Sequence, residues 1–296
     1  MKNDLKILFQ NKNLGDEISA RVISQWKELN IRKYHSRNDA INFFINDEKG
    51  KIKILDNIEK ENFSLSGKNI LDVGCGKGGM LISCALRGAK VVGIDVDEEE
   101  IKIAKMRTEA CGINDNVSLM VANAENMPFS DNFFDIVLAI SVLEHVKNLE
   151  KVVKEMVRVT KPGGFCYISI PNSLFPREAH YKVFYIPYLS KKIGKIYLKI
   201  RGFNPNFFME NVTYPYPSIF KIKKIFKKYN MNVQNITERH ILEKFTNPSL
   251  IRNKKIRDTI KYLERLKVNN LVAKLIVYLH FYPSVHLMAK KIEISF

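Results

Sequence analysis

The sequence is poor in cysteine, which excludes two classes of small, cross-linked protein. Its four cysteines, Cys75, Cys84, Cys111 and Cys166, include no C-x-x-C pair, and none lies at zinc-ligand spacing from a histidine or another cysteine. We therefore expect neither a disulfide framework nor a structural zinc site. No metal is predicted, and free thiols indicate a reducing compartment such as the cytoplasm.

Long apolar runs are also absent. The N-terminus, MKNDLKILFQNKNLGDE, lacks the apolar centre of a signal peptide. The most apolar late stretch, LVAKLIVYLHFYPSVHLMA, is interrupted by Lys274, His280 and Pro283. It falls short of the roughly 20 continuous apolar residues that a membrane span needs. We expect a soluble cytoplasmic protein.

Acidic residues are scarce in the last part of the chain. Residues 1–170 hold 24 Lys and Arg against 24 Asp and Glu, whereas residues 171–296 hold 24 basic and only 7 acidic residues. The whole net charge of +17 therefore lies in this last part. Such asymmetry concerns partners rather than fold. It fits an anionic membrane, an acidic or lipid-linked acceptor, RNA, or a lysine-rich surface that is merely solvated.

Short apolar runs and helical segments alternate in the middle of the chain. NILDVG and KVVGIDV have the pattern of buried strands, and GGMLISCALRG and DEEEIKIAKMRTEACGI that of helices. The strands VSLMVAN, FFDIVLAI and FCYISIPN follow, and the helix NLEKVVKEMVRVTKPGG, with a glycine stop, precedes the last of them. This alternation predicts right-handed βαβ units and a parallel sheet.

Helical segments flank this alternation. Residues 1–66 look mainly helical, and three basic helical segments follow Asn172: SKKIGKIYLKIRG, SIFKIKKIFKKYN and NKKIRDTIKYLERLK. In the first, one helical face carries Ile193, Ile196, Tyr197 and Ile200, and the other carries Lys192, Lys195 and Lys199.

The glycine loop NILDVGCGKGGML fits two kinds of cofactor site. Gly74, Gly76 and Gly79 match the G-x-G-x-x-G dinucleotide fingerprint, and Gly78 completes the G-x-G-x-G loop that holds S-adenosylmethionine. Both loops set backbone N–H groups and a helix start beside a ligand. Asp95, 21 residues after Gly74, can accept both hydroxyls of an adenosine ribose. NAD, FAD and S-adenosylmethionine all satisfy this pattern.

The surrounding motifs favour S-adenosylmethionine. Asp72 lies two residues before Gly74, where dinucleotide sites usually carry an apolar residue. NAENMPF, FDIVLAISVLEHV and VTKPGG then follow in order. Over residues 67–172 these segments resemble the class I S-adenosylmethionine-dependent methyltransferases, particularly those that modify small molecules, quinones and sugars.

The resemblance implies a fold and a division of the chain. The fold is α/β, with a Rossmann-like seven-stranded sheet that is mostly parallel, an antiparallel last strand and helices on both faces. The three parts are an N-terminal helical extension (1–66), the S-adenosylmethionine-binding core (67–172) and a basic helical insertion after the fifth strand with the last two strands of the sheet (173–296). PSVHLMAKKIE becomes the seventh strand.

The resemblance also implies cofactor contacts. They are Asp72, Gly74, Cys75, Gly76 and Gly78 for the methionine portion, Asp95 for the ribose, Val96, Asn123, Ala124 and Glu125 for the adenine, and Ile140 and Ser141 for the sulfonium. Asn123 departs from the family, where aspartate is commoner, so we expect weaker binding without loss. From the residues alone, the glycines also fit plain turns, Asp95 a helix cap and Glu125 a solvated loop acid.

Transfer of a methyl group to a hydroxyl requires alignment and a group that takes the hydroxyl proton. His145 follows the fourth strand on the side where ligands bind, and an ordinary histidine pKa of about 6.5 suits such a base. Glu144 is predicted to orient its ring or to contact substrate. His180, Tyr181 and Tyr214 are candidates for the acceptor side. For all five, simple packing is the alternative.

We predict an enzyme that O-methylates a small, glycan or lipid-linked acceptor, with S-adenosylhomocysteine as the product. The long insertion and its FP-x-E-x-H segment look similar to methyltransferases found with surface-glycan and lipid-modifying enzymes. C-methylation of a quinone-like ring, RNA methylation and a degenerate binding module are the alternatives. No RNA-binding module or N-P-P-Y-like motif is present. The basic helices are predicted to contact anionic membrane peripherally.

Overall fold

The computed structural model describes residues 50–61, 63–178, 180–181, 183–184, 189–205, 216–251 and 253–292, together with three isolated positions, 16, 20 and 24. Most of the predicted N-terminal extension lies outside these residues, as does Tyr214. Residues 50–60 are helical and lead into the sheet.

A seven-stranded sheet with the order β3-β2-β1-β4-β5-β7-β6 forms the centre of the fold. Its strands are β1 (Asn69–Val73), β2 (Lys90–Asp95), β3 (Val117–Val121), β4 (Phe134–Ile140), β5 (Thr160–Pro171), β6 (Met231–Asn235) and β7 (Ser284–Lys291). Neighbouring strands among β1 to β5 pair in parallel. β7 is antiparallel to both β5 and β6. The predicted mixed sheet with an antiparallel last strand is confirmed.

Eight helices connect these strands in the described part of the chain. They are α1 (Gly79–Ala85), α2 (Glu98–Ala110), α3 (Leu149–Val159), α4 (Lys191–Ile200), α5 (Ile219–Lys228), α6 (Ile236–Thr246), α7 (Lys254–Arg265) and α8 (Asn269–Tyr278). α4 and α5 lie between β5 and β6, and α6 to α8 between β6 and β7, so the basic helical region is divided by a strand. Of the described helices, none has the length and apolar character needed to cross a membrane.

Apolar layers bury the sheet on both faces. Val137 and Ala139 of β4 pack in one cluster with residues of α3 and α5. Ile136 and Leu138, their neighbours in the same strand, pack in the other with α1 and the helical segment 50–60. Because successive strand residues point to opposite faces, the two clusters lie on opposite sides of the sheet.

The segment TKPGG was predicted to end the preceding helix at its glycines, and the structure differs. α3 ends at Val159, and β5 already begins at Thr160. The Thr160 hydroxyl donates to the carbonyl of Met156 at 2.6 Å, which satisfies a terminal carbonyl of α3 without a glycine. The register between β4 and β5 shifts just after this point, so the glycines belong to an irregular stretch of a strand.

Candidate functional site

A cavity of about 470 Å³ opens at the carboxyl ends of β1 to β4. This edge of a parallel sheet is where α/β proteins bind their ligands. Eight of the predicted site residues line the cavity: Gly74, Asp95, Val96, Asn123, Ala124, Glu125, Ser141 and His145. Its other lining residues, which sequence reasoning missed, are Ile94, Ala122, Val142, Val146 and Lys147. The first four of these are apolar neighbours of predicted residues.

The glycine loop is required by backbone conformation and by close packing. Gly74, Gly76 and Gly78 have φ values of 64°, 49° and 76°, which favour glycine. A side chain at Gly74 would meet Val142 at 2.5 Å, and one at Gly78 would meet Ala104 of α2 at 3.0 Å. The loop therefore lies tightly between the turn after β4 and α2.

Asp95 joins the glycine loop to the start of α2. Its Oδ2 accepts from the backbone N–H of Gly76 at 2.9 Å, and its Oδ1 accepts from that of Asp97 at 3.0 Å. The cap of α2 is Asp97, which accepts from the N–H groups of Glu99 and Glu100. Asp95 is thus fixed at the cavity edge and is not the helix cap.

Five predicted cofactor residues do not line the cavity: Asp72, Cys75, Gly76, Gly78 and Ile140. Asp72 and Cys75 are buried, and burial raises the pKa of the Cys75 thiol far above its ordinary value. The thiol therefore stays protonated and serves as a small loop residue.

The turn after β3 is held by its own polar side chains. Asn123 Oδ1 accepts from the backbone N–H of Glu125 at 2.8 Å. Glu125 Oε1 in turn accepts from the backbone N–H of Asn148, the N-cap of α3, at 2.8 Å. Glu125 is therefore bound to the start of α3 rather than solvated freely. Val96, across the cavity, is largely exposed although it is apolar.

The turn after β4 brings His145 to the cavity. Ser141 has a φ of 57°, which is uncommon for a residue other than glycine. Its N–H donates to the carbonyl of Ser169 at 2.8 Å, and the N–H of His145 donates to that of Val142 at 2.8 Å. Backbone strain of this kind occurs at functional sites when surrounding contacts enforce it.

A largely buried polar cluster lies beside His145 and is formed by Glu178, His180, Tyr181 and Tyr216. We call it the Glu178 cluster. The rings of His145 and His180 meet edge to face, with their centroids 5.6 Å apart. His180 Nδ1 lies 2.9 Å from Glu178 Oε1 and 2.8 Å from the Tyr216 hydroxyl. The Tyr216 hydroxyl and the Tyr181 N–H both donate to the Glu178 carboxylate.

The charge state of Glu178 follows from these contacts. Burial alone raises the pKa of this carboxyl, but the hydrogen bonds and positive charge of His180, together with the hydrogen bond from Tyr216, outweigh burial and hold the pKa below its ordinary value. Glu178 is therefore ionised at neutral pH and can only accept hydrogen bonds. His180 Nδ1 faces this carboxylate and is placed to donate to it.

Glu144 shows the opposite behaviour. It is 1% exposed, and burial raises its pKa to about 7, although its own backbone N–H and nearby His180 oppose the shift. Its Oε2 is buried and has no hydrogen-bond partner among the described residues. Glu144 does not line the cavity, so its predicted contact with substrate stays a prediction.

His180 and Tyr181, the acceptor-side candidates among the described residues, do not line the cavity. Tyr181 is buried and packs on Phe203 with ring centroids 5.2 Å apart. Sequence reasoning missed Glu178 and Tyr216 as partners of His180. The E-x-H spacing of Glu178 and His180 was a signal for the first, but Tyr216 lies 36 residues further on, beyond any local pattern.

Comparison with known proteins agrees with this geometry. Residues 71–168 match a family described as a methyltransferase domain. A stretch of 116 residues is 38% identical to sterol 4-C-methyltransferase strm-1 of Caenorhabditis elegans and covers 38% of this chain and 35% of that protein. A stretch of 114 residues is 39% identical to ubiquinone biosynthesis O-methyltransferase of Pseudomonas putida and covers 38% of this chain and 48% of that protein. The chain thus spans less than half the length of these relatives.

One solved structure extends the similarity over most of the chain. It is that of a putative sarcosine dimethylglycine methyltransferase from Galdieria sulphuraria, with a TM-score of 0.51 and 14% identity over 87% of this chain and 89% of that one. At this identity the similarity concerns the fold alone. Sheet order and cavity define a Rossmann-like domain of the methyltransferase type. With the family match, residues 71–168 are similar to the class I S-adenosylmethionine-dependent methyltransferases.

Proposed function

We propose that the protein transfers a methyl group from S-adenosylmethionine to a hydroxyl of a small, glycan or lipid-linked acceptor, with His145 as the proton acceptor. The observation that carries the proposal is a single cavity lined by Asp95, by Gly74 of the glycine loop and by His145. A carboxylate suited to ribose and an imidazole suited to acid–base chemistry therefore face one space.

The cavity fits S-adenosylmethionine in size and chemistry. Its volume of about 470 Å³ lies within the range of roughly 300–1,000 Å³ that small-molecule sites occupy. Each oxygen of Asp95 accepts one backbone N–H and keeps a further lone pair, so both can accept from ribose hydroxyls. Val96 offers an exposed apolar surface to the adenine ring.

The reaction requires alignment and the removal of one proton. Bound S-adenosylmethionine would supply a methyl group attached to a positively charged sulfur. The acceptor oxygen would form a bond to the methyl carbon as the carbon–sulfur bond breaks, and S-adenosylhomocysteine would be left. His145 takes the hydroxyl proton on a ring nitrogen. Its place in the cavity lining supports this role.

The Glu178 cluster supports an acid–base function on this side of the cavity. Ionised Glu178 contacts His180 Nδ1 and fixes the orientation of that ring. His180 and His145 are in ring contact. In this proposal His180 and Glu178 are positioning residues that act through His145.

The acceptor class is proposed from the charge of this chain, since the relatives differ in their chemistry. One is named as a sterol C-methyltransferase and the other as an O-methyltransferase of ubiquinone biosynthesis. Residues 171–296 carry 24 basic against 7 acidic residues, which favours an acceptor with negative charge, such as a lipid-linked sugar phosphate. We also propose a cytoplasmic location, which the four free cysteines support.

The test uses S-adenosylmethionine with a labelled methyl group. The purified chain and an extract of its source cells are incubated, then separated into organic-soluble, glycan and RNA fractions. We expect label in the organic or glycan fraction, and release of that label by hydriodic acid, which cleaves O-methyl ethers but not C-methyl groups. Label in RNA alone, or label that resists cleavage, overturns the proposed acceptor. Cofactor binding without transfer to any fraction overturns the catalytic role.

A further inference from the structure

Helix α4 presents its apolar side to solvent. It packs on the protein through Gly194 and Leu198, which are four residues apart and buried. Ile196 lies two residues from each of them and therefore about 200° around the helix. Ile193, Ile196 and Ile200, which form one stripe, are 53%, 52% and 77% exposed. The amphipathic pattern is real, but its apolar face is turned outward.

Helix α8 repeats this arrangement. Its buried residue is Ala273, and Leu271 and Leu275 each lie two residues away, on the far side. Leu271, Leu275 and Tyr278 are 67%, 53% and 80% exposed. Scattered exposed apolar residues are normal, but contiguous apolar stripes on two helices mark an interaction surface.

The charged residues within both helices are of one sign. α4 contains four lysines and no acid, and no acidic residue occurs in residues 179–209. Residues 265–292, which include α8, contain no acid either. An apolar stripe beside lysines matches an anionic lipid surface, where the stripe enters the interface and the ammonium groups reach the headgroups. RNA would match the lysines but leave the isoleucines without an apolar partner, and a protein partner would need a face that is both acidic and apolar.

Both helices are attached to the active-site edge of the sheet. Beyond the end of α4, Phe203 packs on Tyr181 of the Glu178 cluster, and the carbonyl of Asn204 accepts from the Tyr181 hydroxyl at 2.5 Å. Beyond the end of α8, the carbonyls of His280 and Tyr282 each accept from the side chain of Asn172 at 2.8 Å. Asn172 directly follows the carboxyl end of β5.

We propose that the outward faces of α4 and α8 form a docking surface for an anionic lipid bilayer, beside the acceptor side of the site. The stripe residues enter the headgroup layer, and the lysines bind anionic headgroups. Docking in this orientation would present the site to an acceptor held in the membrane, a step that rests on the proposed function. The docking surface itself does not depend on it.

The experiment measures co-sedimentation of the full chain with two kinds of vesicle, phosphatidylcholine alone and an equimolar mixture with phosphatidylglycerol. We expect binding to the anionic vesicles, loss of most binding at high salt, and little binding to phosphatidylcholine. Equal binding to both, or to neither, overturns the proposal. This comparison uses the unaltered protein and so does not depend on how a variant folds.

A variant then tests the stripe. Ile193→Gln/Ile196→Gln/Ile200→Gln removes apolar contact while keeping good helix formers, and we expect at least roughly ten-fold weaker partitioning. The control, Leu86→Gln/Ile292→Gln, alters exposed apolar residues at the opposite edge of the sheet and should bind as the unaltered chain does. Undiminished binding of the folded triple variant contradicts the proposal. The proposal is also contradicted if light scattering shows that the unaltered chain is a dimer and that the triple variant is not.

Calorimetry with S-adenosylmethionine separates the two proposals. The triple variant should bind the cofactor as tightly as the unaltered chain, since its changes lie outside the cavity lining. A chain that docks on vesicles but binds no cofactor would refute the proposed function alone. A chain that binds the cofactor but no vesicle would refute the docking surface alone.

Discussion

His145 and His180 meet edge to face, with ring centroids 5.6 Å apart, although 35 residues of the chain separate them. His145 lines the cavity from the turn after β4. His180 comes from the segment after β5 and is held by ionised Glu178. The contact therefore joins the cofactor-binding core to the segment from which we expect acceptor recognition.

The first prediction concerns His145. His145→Gln should lower turnover about 100-fold or more, because general-base catalysis contributes roughly 10²–10⁴-fold. Affinity for S-adenosylmethionine should change little. The measurement is transfer of labelled methyl into the acceptor fraction, with His240→Gln on α6 as the matched control. Full turnover in His145→Gln would remove this residue as the base.

The second prediction concerns Glu178. Glu178→Gln keeps the shape but removes the negative charge beside His180, so kcat should fall roughly ten-fold with little change in KM. A loss confined to kcat would show that the charge acts on the aligned complex and not on binding. Tyr216→Phe keeps the carboxylate and should lower kcat less. An unchanged kcat in Glu178→Gln would reduce the cluster to a structural element.

The third prediction concerns Asp95. Asp95→Asn should weaken S-adenosylmethionine binding about ten-fold or more, because hydrogen bonds to a charged group contribute about 1.5–3 kcal/mol. Isothermal calorimetry measures this, with Asp115→Asn in an exposed turn as the control. Equal affinity of the two variants for S-adenosylmethionine would contradict the contact between Asp95 and the ribose.

The fourth prediction is a pH dependence of stability due to Glu144. Its pKa is raised from the ordinary 4.5 to about 7, so in this window the unfolded carboxyl ionises while the folded one keeps its proton. Stability is therefore lost as pH rises from about 4.5 to 7, by about 3 kcal/mol. Glu144→Gln cannot ionise and should gain stability relative to the unaltered chain between about pH 5 and pH 8.

Urea unfolding at each pH measures that difference. Glu109→Gln, which alters an exposed acid on α2, is the control and should show no such trend. A constant difference between Glu144→Gln and the unaltered chain across this range would contradict the assignment of a protonated, buried carboxyl.

The sequence was sufficient for the parts of the fold that depend on local patterns. The strands from β1 to β5 have the expected apolar runs, and the loop from Gly74 to Gly78 has the positive φ angles that its glycines indicate. The prediction for TKPGG was wrong because the Thr160 hydroxyl donates to a carbonyl in the last turn of α3, and the strand begins at Thr160 itself. The resemblance to methyltransferases over residues 71–168 and the mixed sheet are confirmed, and the individual site residues stay predictions.

Two features could not be read from local patterns. Tyr216 reaches Glu178 across 38 residues, a contact that only the tertiary fold creates. The sequence of α4 shows two faces but does not show which of them packs on the protein. The helix packs through the face that carries the small Gly194, which allows close approach, and not through the isoleucine face that burial of apolar residues would favour. Periodicity gives the faces of a helix, and tertiary packing decides their direction.

The most direct test of the central claim is a calorimetric titration of the unaltered chain with S-adenosylmethionine and, separately, with NAD. The cavity edge, with Asp95 and a loop that also satisfies the dinucleotide fingerprint, makes these two cofactors the sharpest pair of alternatives. We predict saturable binding of S-adenosylmethionine and none of NAD. Binding of NAD without S-adenosylmethionine would contradict the account.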